Sequence, residues 1–173
     1  MVNVDTKWKT HPPLAEGAEA RQGWGGNQEW SKDLYLLAIS KNAALRSIRD
    51  LRGPDAVALC ESMRDSLRAC ALQVYGVGAD KLRIFFHYQP QFMRLHAHCT
   101  RCEHVNPGCE AERAHLLTSV ADNLKLRPGY YADDATLTYR LRDGEPLHKA
   151  LLAKCPEALV GAGGASGSAA AAN

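Results

Sequence analysis

The sequence predicts an α+β fold, with about five short strands and a few helices in one domain. The strongest sign is a pair of strand-like runs that share a turn between residues 81 and 100. Two other segments show apolar residues at helical spacing. With 173 residues and 46% hydrophobic content, the chain has the size of one ordinary domain. Its formal net charge of +2 gives no electrostatic case for binding long nucleic acid, although a short fragment is not excluded.

The strand pair at the centre of the chain is defined by its composition and by its turn. The first run, Leu82 to His87, is rich in β-branched and aromatic residues. Residues 89–91 interrupt it, because Pro90 cannot donate to a strand ladder and fits a turn. The second run extends from Arg94 to Thr100. We therefore predict an antiparallel hairpin centred near Gln91.

This hairpin would collect three histidines on one face. Side chains alternate along a strand, so His96 and His98 point the same way, and the predicted register places His87 opposite His96. Phe85 then lies opposite His98, and a shift of one residue would bury the histidines and expose the apolar set. Imidazole titrates near neutral pH and is a nucleophile, so the cluster indicates phosphoryl transfer or metal binding. The apolar face comprises Leu82, Ile84, Phe86, Leu95, Ala97 and Cys99.

The remaining elements follow from shorter patterns. Val2–Trp8 alternates apolar and polar residues and predicts an edge strand, and Leu34–Ser40 is an apolar run of strand length. Pro54 begins a helix whose apolar stripe continues to Gly76. Further on we expect a helix near Glu110–Leu124, a strand at Thr136–Leu141 and a short helix at Glu145–Lys154.

Composition also divides the chain into segments. We expect an N-terminal strand at residues 1–8, a loop insertion at 9–30, one α+β domain at 31–155, and a disordered Gly/Ala/Ser-rich tail at 156–173. Trp24 and Trp30 lie near the end of the loop. Either could stack on a cationic methylated base, but we favour Trp24 as a solvent-side loop residue and Trp30 as a cover of the core.

A family resemblance adds to these patterns. The run Arg94-Leu95-His96-Ala97-His98-Cys99 resembles the histidine-triad motif His-φ-His-φ-His-φ-φ, with arginine at the first position. The wider match is to the scavenger mRNA-decapping enzymes of that superfamily, and it resembles only their C-terminal catalytic half. It covers roughly residues 4–8 and 31–154. The matching stretches are Asp5–Trp8, Asp33–Ile39, Leu45–Leu51, His87–Pro90, Leu95–His98, Pro107–Gly108, Glu112–Leu117 and Thr136–Tyr139.

The resemblance implies a fold and a reaction. The fold is a histidine-triad-like antiparallel sheet with helices packed on one side, usually in a homodimer. The reaction is hydrolysis of the 5′-5′ triphosphate bridge of a 7-methylguanosine cap or short capped RNA, without a cofactor or a metal. His96 would be the nucleophile that forms a phosphohistidine-type intermediate, and His98 and His87 would orient the phosphate or protonate the leaving oxygen.

Residues for holding the cap are also implied by the resemblance. Asp5 would accept hydrogen bonds from a guanine-type edge, and Lys7 would pair with a phosphate. Pro90 and Gln91 belong to the phosphate-binding turn, where Gln91 replaces the serine usual in the family. Arg94 departs from the triad histidine, and it either contacts a phosphate bidentately or reaches solvent.

Other interpretations remain open at this stage. Cys99, Cys102, His104 and Cys109 offer a weak zinc-site pattern. The N-terminal lid domain of the family has no counterpart here, so we expect either a fragment or an open site. The alternatives to decapping are a broader nucleotide hydrolase and a cap-binding or regulatory protein with little activity. Without an apolar span or signal core, and with six cysteines expected to stay reduced, we expect no membrane partner and a cytoplasmic or nuclear location.

Overall fold

The computed structural model describes residues 1–12, 24–25 and 27–155, and the chain divides into two compact units, Met1–Tyr139 and Arg140–Asn173. The predicted tail at 156–173 and most of the predicted loop insertion, residues 13–23 and 26, lie outside the described residues. Among the described residues, no helix has both the length and the apolar character needed to cross a bilayer.

The first unit contains a five-stranded antiparallel sheet, as predicted for an α+β fold of the histidine-triad kind. The strands occur in the spatial order β1-β2-β4-β3-β5, and every neighbouring pair is antiparallel. The strands are β1 at Val2–Val4, β2 at Tyr35–Ile39, β3 at Leu82–His87, β4 at His96–Arg101 and β5 at Ala114–Leu116.

Helices contribute the apolar layer of this unit. In chain order the α-helices are α1 at Gln28–Ser31, α2 at Gly53–Tyr75 and α3 at Leu117–Leu126, and a fourth, α4 at Pro146–Lys154, forms part of the second unit. Short 3-10 turns lie at Ile48–Asp50, Ala79–Lys81 and Pro107–Cys109, and a π-helical turn lies at Tyr130–Asp134.

The long helix α2 begins and ends as its sequence predicts. Pro54 lies in its first turn, where a missing N–H costs nothing. Gly76 ends it in the left-handed conformation, with φ 67°, and its N–H bonds the last carbonyls of the helix. The buried residues of α2 recur at helical spacing: Ala56, Cys60, Met63, Leu67, Ala71 and Tyr75.

The core lies between α2, α3 and one face of the sheet. Leu36 and Ala38 of β2 lie opposite Cys99 and Ala97 of β4, and all four are buried. Phe86 of β3 pairs with Ala97 and extends the same apolar face. The predicted split into an apolar and a histidine-bearing face is therefore confirmed, and the apolar face meets the helices.

Several predicted elements are wrong in their ends or type. The helix near Glu110–Leu124 begins only at Leu117, because Ala114–Leu116 pairs with β3 as strand β5. Tertiary pairing with an open strand edge thus overrides the helical periodicity. No strand forms at residues 136–141, where Leu137 and Tyr139 pack on the core as irregular chain.

The N-terminal predictions also need correction. Strand β1 ends at Val4, because the Asp5 carboxylate accepts the backbone N–H of Lys7 at 2.8 Å and turns the chain. Trp24 is not on the solvent side: it is 5% exposed and stacks on Tyr75, with ring centroids 6.0 Å apart. Trp30 belongs to the short helix α1 and packs against the core, as expected.

Helix α3 offers a direct test of this core. Leu124 is 1% exposed and Leu126, two residues later, is 86% exposed. We expect Leu124→Ala to lower the free energy of unfolding by about 2–5 kcal/mol, because it leaves a cavity. The matched Leu126→Ala should change it by no more than about 0.5 kcal/mol. Urea unfolding of both variants measures this, and equal losses would contradict the described packing.

Candidate active site

The three histidines converge on the sheet face opposite the helices. Phe85 lies opposite His98 in the β3–β4 ladder, as predicted, and the ring of His98 lies between the other two imidazoles. Its centroid is 4.0 Å from that of His87 and 4.8 Å from that of His96. Phe85 stacks against His98 at 5.4 Å and closes the far side of the group.

His96 has a defined tautomer. Its Nδ1 lies 2.6 Å from the carbonyl oxygen of Arg94, two residues earlier. A carbonyl can only accept, so Nδ1 carries the proton and donates it. In the neutral ring Nε2 therefore keeps its lone pair, and His96 is half-buried at the edge of a cleft. An uncharged Nε2 held in this way is suited to attack an electrophile.

His87 is held by a different carbonyl. Its Nε2 lies 2.8 Å from the oxygen of Gly108, so Nε2–H donates to that carbonyl. The approach is close: a Cβ on Gly108 would lie 3.0 Å from Nε2 of His87 and 2.8 Å from Oδ1 of Asn106. That Oδ1 also accepts the N–H of Gly108. The loop that follows β4 thus fits against the His87 ring only with glycine at 108.

His98 is the most enclosed of the three imidazoles. It is 3% exposed, and its Nδ1 lies 3.1 Å from the hydroxyl of Tyr35 on β2. When that hydroxyl donates, Nε2 carries the ring proton. Nε2 is buried and finds no partner among the described residues. Since a buried polar atom without a partner is costly, Nε2 of His98 is available to a ligand in the cleft.

Burial keeps two of these rings neutral. Desolvation lowers the pKa of His87 to about 4, and the nearby Arg113 and Lys7 cations add to the effect. Desolvation likewise lowers the pKa of His98 to about 2, assisted by the neighbouring His87 and His96. Burial also raises the pKa of Tyr35, whose hydroxyl stays protonated. In the free protein, His87 and His98 are therefore hydrogen-bonding groups rather than stored acids.

The cleft above these rings has a volume of about 210 Å³. It is lined by Asn3, Val4, Asp5, Thr6, Lys7, Leu37, His87, Gln91, Phe92, His96, His98 and Arg113. A larger cavity of about 470 Å³ lies between α2 and the ends of β1 and β2, and no histidine lines it. The chemistry-bearing side chains thus belong to the smaller cleft.

The structure brings together most of the candidate residues. Asp5, Lys7 and Gln91 line the cleft with the three histidines, whereas Pro90 and Arg94 do not. Asp5 is buried, and Lys7 places its ammonium 5.6 Å from the centre of the Tyr35 ring. Arg94 is exposed, and its Nη1 donates to the carbonyls of Ser40 and Lys41 at 3.3 and 3.2 Å.

Sequence reasoning missed three contributors. Arg113 lines the cleft as an exposed cation, although it lies in a matching stretch that we expected to serve packing. Its neighbour His115, which the predicted helix would have carried, is on β5 opposite Phe86. Tyr35 and Gly108 also lie in matching stretches, and that resemblance was the available signal for all three.

The zinc pattern does not assemble into a site. Cys99 points into the core, and burial raises the pKa of its thiol to about 12. His104 instead contacts Asp33, with Nδ1 and Oδ1 3.5 Å apart. Within the part of the chain that the structure describes, no three or more histidine, cysteine or acidic side chains are grouped as metal ligands would be.

Comparison with known proteins decides the family. A family model described as "Scavenger mRNA decapping enzyme C-term binding" matches residues 27–114, just over half of the chain. The chain belongs to this scavenger decapping family. All three histidines and both carbonyls that fix His96 and His87 lie inside the matched range.

Curated relatives agree with this family. The chain is 41% identical over 121 residues to the m7GpppX diphosphatase of Bos taurus, covering 70% of this chain and 35% of the relative. It is 40% identical over 125 residues to that of Homo sapiens, covering 72% and 36%, and 37% identical over 116 residues to that of Caenorhabditis elegans, covering 67% and 37%. The chain thus spans little more than a third of the length of these relatives.

The lowered histidine pKa values predict how stability depends on pH. An unfolded histidine has a pKa near 6.5, while folded His87 has a pKa of about 4. Between these values the unfolded chain binds more protons, so the free energy of unfolding falls as pH falls from about 6.5. We expect His87→Gln to flatten this dependence between pH 7.5 and 5.0 in urea unfolding. His148→Asn, in the second unit, is the control, and an unchanged slope in His87→Gln would contradict the assignment.

Proposed function

We propose that this chain is the catalytic region of a scavenger decapping hydrolase. It cleaves the 5′-5′ triphosphate bridge of 7-methylguanosine-capped dinucleotide or short capped RNA and releases 7-methylguanosine monophosphate. The observation that carries the proposal is the 2.6 Å contact between Nδ1 of His96 and the Arg94 carbonyl, which leaves Nε2 as a lone pair at the cleft. The curated relatives, named m7GpppX diphosphatases, support this substrate class.

The proposed reaction has two steps. In the first, Nε2 of His96 forms a bond to the phosphorus nearest the methylated nucleoside, while the bond from that phosphorus to the next bridging oxygen breaks. The leaving group departs as a nucleoside diphosphate or a 5′-diphosphate RNA. In the second step water attacks the same phosphorus, and the P–N bond breaks to restore the imidazole. Splitting the hydrolysis in this way replaces one difficult displacement with two easier ones.

Surrounding groups stabilise the charge that develops on the phosphate oxygens. Nε2 of His98, buried and without a partner among the described residues, donates to one oxygen. Lys7 and Arg113 supply positive charge at the mouth of the cleft. An anionic phosphate beside His87 raises the pKa of that ring, so His87 gains acid character only once substrate is bound.

Asp5 sits at the base-binding end of the cleft in this proposal. It is buried, and one of its carboxylate oxygens accepts the N–H of Lys7. The carboxylate therefore has fixed orientation and further acceptor capacity for the N–H groups of guanine. The amide at Gln91 lies on the same cleft wall and offers a hydrogen bond to the bridge.

A homodimer and a cytoplasmic or nuclear location complete the proposal. The location is supported by the cysteines: all six lie among the described residues and are unpaired there. Light scattering of the purified chain tests the dimer, and fractionation of the source cells tests the location.

The nucleophile is tested with His96→Asn. Asparagine keeps an N–H near the position of Nδ1 but removes Nε2, so we expect hydrolysis of capped dinucleotide to fall by at least about a thousandfold while binding of the cap persists. Product release is followed by chromatography with methylated dinucleotide, its unmethylated form and diadenosine triphosphate. His148→Asn is the matched control.

The substrates separate the possible outcomes. Preference for the methylated dinucleotide supports the proposal, whereas equal turnover of all three would indicate a broader nucleotide hydrolase. Binding of the cap without any product would indicate a cap-binding protein. Turnover by His96→Asn at the wild-type rate would remove the nucleophile assignment.

Base recognition is tested with Asp5→Asn. The amide oxygen can still accept the Lys7 N–H, but an NH₂ group replaces one acceptor for the guanine edge. We expect affinity for 7-methylguanosine monophosphate, measured by calorimetry, to fall about tenfold or more. Asp80→Asn, in the 3-10 turn before β3, is the control. Unchanged affinity in Asp5→Asn would place the base elsewhere.

A further inference from the structure

We propose that the RNA part of a capped substrate leaves the cleft across a defined basic surface, which we call the exit surface. It consists of Lys41, Arg46, Phe92 and Arg94. The inference rests on the proposed function and adds to it the class of leaving group that this chain handles: an oligonucleotide whose first internal phosphates bind outside the catalytic cleft.

The strand register gives the direction of travel. The N–H of Asp5 bonds the carbonyl of Tyr35, which pairs with Thr100 at one end of the β2–β4 ladder. His96 pairs with Ile39 at the other end of that ladder, four residues along. At about 3.3 Å per residue, the nucleophile lies about 13 Å from the Asp5 end. Arg94 lies a further two residues on, about 7 Å beyond it.

This order places the nucleophile between two binding regions. With the methylated base at Asp5 and the scissile phosphate at His96, the rest of the substrate continues toward Arg94. The cleft volume of about 210 Å³ is also below the range of about 300–1,000 Å³ that encloses a drug-sized ligand. A capped oligonucleotide must therefore extend out of the cleft.

The exit surface carries three unpaired cations. Lys41, Arg46 and Arg94 are exposed, and none forms an ion pair with a described residue. Their backbones are in contact, because Nη1 of Arg94 donates to the Lys41 carbonyl and the N–H of Leu95 donates to the Leu45 carbonyl. Phosphate is the ligand that such a group of cations binds best.

Two contacts show how this surface is held ready. Arg94 is anchored through Nη1 on two carbonyls, so its remaining N–H groups are presented outward with little freedom left to lose. The nearest acidic group, Asp50, is already occupied: its Oδ2 accepts the backbone N–H groups of Arg46 and Ser47 at 2.8 Å.

An aromatic ring lies beside these cations. Phe92 is 69% exposed at the wall of the cleft, and its carbonyl accepts the N–H of Arg94 at 2.9 Å. An exposed phenyl ring next to arginine is the arrangement on which single-stranded nucleic acids stack a base while phosphates meet the cations. The contacts are independent of base identity, so the surface selects for length rather than sequence.

The test compares two substrates in one double variant. Lys41→Gln/Arg46→Gln removes two charges without touching a residue of the cleft. We expect the ratio of KM for a capped tetranucleotide to KM for capped dinucleotide to rise about tenfold. The slope of log kcat/KM against log salt for the tetranucleotide should become shallower by about one. Arg68→Gln/Lys81→Gln, which removes two exposed charges from α2 and the turn before β3, should leave the ratio unchanged.

A binding measurement separates this inference from the proposed function. Fluorescence anisotropy with a labelled 5′-diphosphate tetranucleotide needs no catalysis, and we expect the Lys41→Gln/Arg46→Gln protein to bind it about tenfold more weakly than wild type. An unchanged affinity and an unchanged KM ratio overturn the exit surface. Absence of cap hydrolysis by the wild type, with the affinity difference retained, overturns the proposed function alone. An equal effect of the control pair would mean that total charge, not this surface, binds the RNA.

Discussion

The site depends on the register between β3 and β4. Pairing Phe85 with His98 puts Phe86, Ala97 and Cys99 on the face that meets the helices, and leaves the imidazoles on the other face. A shift by one residue would exchange the two faces, so burial of the apolar side chains fixes the position of the histidines. The free energy that forms the core is thus the same free energy that assembles the catalytic group.

Within that arrangement, the state of each ring is set by a single neighbour. The Arg94 carbonyl directs the proton of His96 to Nδ1, and the Gly108 carbonyl directs that of His87 to Nε2. The Tyr35 hydroxyl holds His98 from β2. Because desolvation keeps His87 and His98 uncharged, His96 does not face two imidazolium ions, whose positive charge would disfavour the charged ring formed on attack.

The two positions that depart from the family pattern have different consequences in space. Gln91 remains in the cleft wall, where its amide takes a hydrogen-bonding place. Arg94 leaves the cleft and lies along the segment that follows β2, while its backbone carbonyl still serves His96. Backbone chemistry is independent of side-chain identity, so this position can change its side chain without losing the contact that the nucleophile needs.

The sequence by itself determined the parts of the protein that repeat a local pattern. Alternation gave the β3–β4 hairpin and the three histidines, helical spacing gave α2 between Pro54 and Gly76, and the motif around His96 gave the family resemblance. The tertiary structure alone decided what depends on distant partners. Ala114–Leu116 joined the edge of β3 instead of a helix, Trp24 stacked on Tyr75, Arg113 reached the cleft, and Arg94 did not. Local patterns record which face of an element is apolar, but they do not record which strand edge, ring or cleft lies across from it.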